Sequence, residues 1–110
     1  MRTRPILVAI ALATLLLAAC ERTTGPTLPL PPPVVEAIAA PVGGFVTITG
    51  IAQEFAIVYA WNETQEEGGI VRADATGRFA IVIPGASGDG LVVWYDDGTD
   101  RSEPTMTSIP

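Results

Sequence analysis

Beyond residue 43 the chain is cut into short runs of β-branched and aromatic residues by turn-forming Gly, Pro, Asn and Asp. The spacing is about 8–12 residues, the signature of an all-β sandwich or barrel. Phe45-Val46-Thr47-Ile48-Thr49 is the first run and stops at Gly50. Phe55-Ala56-Ile57-Val58-Tyr59-Ala60-Trp61 alternates, with Phe55, Ile57, Tyr59 and Trp61 on one face and the small residues on the other. Gly69-Ile70-Val71-Arg72-Ala73-Asp74 is a weaker strand, and Asp74-Ala75-Thr76-Gly77 is a turn. Arg78-Phe79-Ala80-Ile81-Val82-Ile83 and Leu91-Val92-Val93-Trp94-Tyr95 follow, separated by a Gly/Ser/Asp loop. Residues 106–109 form a last candidate strand. No segment of helical length and period follows Cys20, so residues 43–110 are expected to fold as two small antiparallel sheets packed face to face.

The N-terminal residues carry a different signal. Arg2 and Arg4 precede an uncharged apolar stretch over residues 6–17, and Leu17-Ala18-Ala19-Cys20 closes it. A spanning helix needs roughly 20 apolar residues, and a shorter core ending in small residues reads as an export signal. The cysteine directly after that site resembles the lipobox of bacterial lipoproteins. The resemblance implies cleavage after residue 19, lipid attachment to the Cys20 sulfur, and stable anchoring by several acyl chains. It also implies outer-membrane sorting, since Glu21 rather than Asp follows the cysteine. An uncleaved signal anchor with an incidental cysteine is the rival reading.

Residues 20–42 read as a lipidated N-terminus and linker. Pro29-Leu30-Pro31-Pro32-Pro33 favours a stiff polyproline spacer, either a stalk or a ligand for a proline-reading domain. Residues 34–40 suit a helical turn or a first edge strand, and the pattern does not choose between them.

The turn residues of the downstream segment are similar to those of bacterial immunoglobulin-like domains. A strand reaches a glycine at Val46-Thr47-Ile48-Thr49-Gly50-Ile51-Ala52, and a hairpin is suggested at Ala73-Asp74-Ala75-Thr76-Gly77-Arg78-Phe79. Trp94-Tyr95 then runs into an acidic turn that leads to Ser102-Glu103-Pro104. The likeness covers residues 43–109, in one copy and without the cysteine pair of antibody domains. It implies an all-β immunoglobulin-like sandwich serving as a spacer, adhesion or accessory module.

The side-chain inventory narrows the chemistry. The chain has a formal net charge of −6, and all 12 acidic residues lie beyond the leader. Such a surface repels phosphate backbones and anionic head groups, so no nucleic-acid partner is expected and membrane contact must come from lipid. There is no histidine or lysine, and Cys20 is the single cysteine. Histidine-dependent nucleophilic catalysis, a conventional zinc site, a P-loop and an internal disulfide are thereby removed. Glu66-Glu67 reads as a solvated loop. No enzyme activity and no cofactor are expected.

Two constellations remain. Asp96, Asp97, Asp100 and Glu103 are the densest acidic group, with oxygen donors suited to calcium or to capping a strand-end turn. Trp94 and Tyr95 are consecutive and must point to opposite faces, so one is a candidate for binding a sugar or a protein. A core this small calls for large side chains, so at least one of the two tryptophans, Trp61 and Trp94, is expected inside. The reading as a whole is an envelope-anchored module that contacts a protein partner. Carbohydrate or calcium binding is the alternative.

Overall fold

The structure is a computed structural model that describes residues 28–110. The leader over residues 1–19 and the lipidation candidate Cys20 lie outside the described residues. Seven strands follow in chain order: β1 Val34–Ile38, β2 Phe45–Ile51, β3 Ile57–Asn62, β4 Glu67–Arg72, β5 Arg78–Pro84, β6 Gly90–Asp96 and β7 Thr105–Ser108. They build a three-stranded sheet ordered β1-β2-β5 and a four-stranded sheet ordered β4-β3-β6-β7. All neighbouring pairs are antiparallel, and the described residues contain no helix. The fold is an all-β sandwich, compatible with an immunoglobulin-like domain.

Alternation decides which residues enter the core. Val46 and Ile48 of β2, Phe79, Ile81 and Ile83 of β5, Val58 and Ala60 of β3, and Leu91, Val93 and Tyr95 of β6 point between the sheets. Each large aliphatic side chain buried there contributes about 1.5–3 kcal/mol relative to exposure. Ile109 closes one end of the core, held by its amide donating to the Asp89 carbonyl and its carbonyl accepting from Gly88.

Three boundaries differ from the sequence reading. First, β1 lies inside the stretch read as linker and pairs with β2. The chain before it is also tied down. The Glu103 amide donates to the Leu30 carbonyl, and the Thr105 hydroxyl donates to that of Pro33. Val35 and Ile38 pack against the core, so burial selects the strand for residues whose local pattern left it open.

Second, β2 continues through Gly50 to Ile51. Gly50 sits opposite Phe79, whose ring occupies the space a side chain would take. Third, the segment 73–79 is not a hairpin, because β4 pairs with β3 whereas β5 pairs with β2. It is a corner that carries the chain from one sheet to the other. Asp74 builds it by accepting from the Thr76 hydroxyl at 2.7 Å and from the amides of Thr76 and Arg78, with Gly77 at φ 85°. These bonds, the Thr76 hydroxyl foremost, hold the Asp74 carboxyl below its usual range.

Candidate functional site

The outward face of the four-stranded sheet collects the large side chains that the core does not take. Ala56, just before β3, and Val58 and Ala60 within it are buried, which turns Ile57, Tyr59 and Trp61 outward. Register then aligns them with the neighbouring strands. Tyr59 stands between Ile70 of β4 and Trp94 of β6, and Trp61 stands between Gly68 and Val92. Val92 in turn faces Met106 of β7. Trp61 is 40% exposed, Ile70 67% and Met106 70%.

The centre of this face is braced. Tyr59 and Trp94 stack with centroids 5.3 Å apart and an interplanar angle of 5°. Asp96 pairs with Ile57 on one side and with Arg101 on the other, so Arg101 arrives from the flank opposite β3. Its guanidinium carbon lies 4.7 Å from the Trp94 ring centroid. Such stacking and cation–π contacts are worth roughly 0.5–1.5 kcal/mol each. The Trp94 ring is therefore engaged from both neighbours. Trp61 is the more open ring, and it lines a shallow apolar groove with Tyr59, Gly68, Ile70 and Trp94.

The sequence-predicted site residues divide sharply. Trp94 belongs to this face. Tyr95 does not: it is 3% exposed and sits in the core. Its amide donates to the Ser102 hydroxyl at 2.9 Å. Burial, with the Asp97 charge as a smaller contribution, pushes its phenol above the usual pKa. The expectation of a buried tryptophan also fails. The core is filled by aliphatic residues with Phe79 and Tyr95, and both tryptophans stand outside it.

The acidic group does not converge as a calcium site. Among the described residues, no three Asp, Glu, His or Cys side chains are placed to hold a metal ion. Asp96 accepts from the Gly98 amide at 2.6 Å. Asp97 accepts from Thr99 at 2.9 Å and from Asp100 at 2.7 Å. The Asp100 and Thr99 amides hold the Asp97 carboxyl below its usual range. Asp96 and Asp97 thus organise the β6–β7 turn, while Glu103 joins the Leu30 segment through its backbone.

Tyr59, Ile70, Arg101 and Met106 were not picked out from the sequence. Alternation places Tyr59 beside Trp61 on one face, but only the β3–β6 register brings Tyr59 to Trp94. No family model matches the chain, and no curated protein matches it either.

Proposed function

We propose that the chain is a bacterial envelope lipoprotein, anchored through Cys20, whose domain acts without catalysis as a protein-interaction module. Its working surface is the outer face of the four-stranded sheet. The observation that carries this is the continuous row Ile70–Tyr59–Trp94 with Trp61, Met106 and Arg101 around it. Trp, Tyr, Met and Arg are the residue types enriched at interface centres, and exposed apolar patches of this kind mark contact sites. Tyr59 and Arg101 already contact the Trp94 ring, which leaves Trp61 as the more open ring and much of the remaining exposed area to the aliphatic side chains of Ile70 and Met106. The arrangement therefore favours a protein over a carbohydrate. Outer-membrane placement rests on the lipobox and Glu21.

Cross-linking in intact cells, followed by recovery of the full-length lipidated chain, tests both halves. The wild-type protein is expected in the membrane fraction, joined to one defined partner. Trp61→Ser stays in the membrane and loses that adduct by at least about tenfold, the loss of a central interface aromatic. Cys20→Ser moves to the soluble fraction with its domain still folded. Retention of the adduct by Trp61→Ser refutes the surface, and retention of Cys20→Ser in the membrane refutes the anchor.

A further inference from the structure

We propose that β4 is a docking edge for the β4 strand of a second copy of this chain, paired antiparallel about Ile70. The two sheets end in four strand edges: β1, β5, β4 and β7. Free edges invite pairing, and proline, bulges and charge discourage it. A register shift between Val35 and Ala37 breaks β1, which Pro33 and Pro41 flank. β7 lies between Pro104 and Pro110, and β5 ends in Pro84. β4 has no proline and no bulge. It pairs with β3 without interruption from Ile57↔Arg72 to Asn62↔Glu67. Among the described residues, its backbone makes no hydrogen bond beyond that ladder.

The occupant follows from charge and parity. β4 begins with Glu67, behind Glu66, and ends with Arg72. Two antiparallel copies bring each Arg72 end to the partner's acidic end, whereas β5 carries only Arg78 and offers no such match. Gly68, Ile70 and Arg72 share the outward face with Tyr59 and Trp61. A merged sheet that keeps its faces continuous must oppose residues of the same face. Ile70 then meets Ile70 at the two-fold axis, and Gly68 meets the partner's Arg72. The Trp61 ring already covers Gly68, since a Cβ built there would lie 2.9 Å from its Cε3. The partner's Arg72 thus arrives over an aromatic ring, the geometry of a cation–π contact.

Opposed residues in such a pair lie within disulfide reach. The test uses the full chain carrying Cys20→Ser, oxidised in intact cells and resolved without reductant. Ile70→Cys is expected to form a covalent dimer. Met106→Cys, equally exposed on β7, is expected to stay monomeric. Adding Arg72→Glu to Ile70→Cys removes the cation beside the partner's Trp61 and sets an acid diagonal to the partner's Glu66, and it is expected to cut the dimer yield about fivefold. Equal dimer yields from positions 70 and 106, or a yield unaffected by Arg72→Glu, overturn the proposal.

Discussion

Asn62→Ala is expected to cost about 3 kcal/mol of folding stability, because it leaves several buried polar groups without partners. Asn62 is fully buried at the end of β3. Its amide donates to the Pro84 carbonyl at 3.1 Å and to the Asp89 carboxylate at 2.9 Å. Its own carbonyl accepts from the Thr64 and Gln65 amides, both at 3.0 Å. Asp89 also accepts from Ala86 and from the Gln65 side chain. One side chain therefore ties the β3–β4 turn to the β5–β6 loop and, through Asp89, to Ile109. Urea unfolding measures the loss, and a cost under about 1 kcal/mol would show the network to be dispensable. The same network has a pH signature. The Asn62 amide, then the Ala86 amide and Gln65, hold the Asp89 carboxyl low against the opposing effect of burial. A carboxyl lowered in the folded state stabilises above its unfolded pKa of about 4. That stability is lost as pH falls through the folded value. Asp74 and Asp97 shift the same way. The wild-type protein is expected to lose stability in acid, and Asn62→Ala to lose less of it.

Gly50→Val is expected to cost about 3 kcal/mol or more, as an overpacked site with no room to relax. A Cβ at this position would overlap the Val34 carbonyl oxygen and lie 2.9 Å from the Phe79 Cζ. The ring could turn aside, but the Val34 carbonyl is backbone of the neighbouring segment. Accommodation requires β1 to leave β2, and β1 is a short edge strand already broken by a register shift. Urea unfolding would show a lowered midpoint, with protection from hydrogen exchange lost first in β1. A wild-type midpoint would mean that the close approach at Gly50 does not limit the fold.

The sequence was most readable where side-chain alternation is strong. The strands around residues 45–49, 57–61, 78–83 and 91–95 follow from period-two patterning alone, and with them the all-β class. It was least readable where pairing partners decide. Residues 34–38 have no local preference and become a strand because β2 offers a ladder. Gly50 has the composition of a strand end but lies within one, because Phe79 from a distant segment shields it. Charge density suggested a metal site at residues 96–103, yet Asp96 and Asp97 are occupied by the amides of their own turn. For the aromatic face, alternation showed that Tyr59 and Trp61 travel together. It did not show that the small face of β3 turns inward. Gly69 explains part of that choice: Ile83 and Ile81 of the facing sheet already fill the space beside its Cα.

The central claim is that both tryptophans of this sandwich stand on an outer sheet face rather than in the core. Urea unfolding of Trp61→Ser tests it most directly. Removing a cross-strand side chain from an outer face is expected to cost about 1 kcal/mol or less, leaving the midpoint close to that of the wild-type protein. A loss of about 3–5 kcal/mol, the penalty for deleting a core aromatic, would place the indole inside the fold and contradict the account.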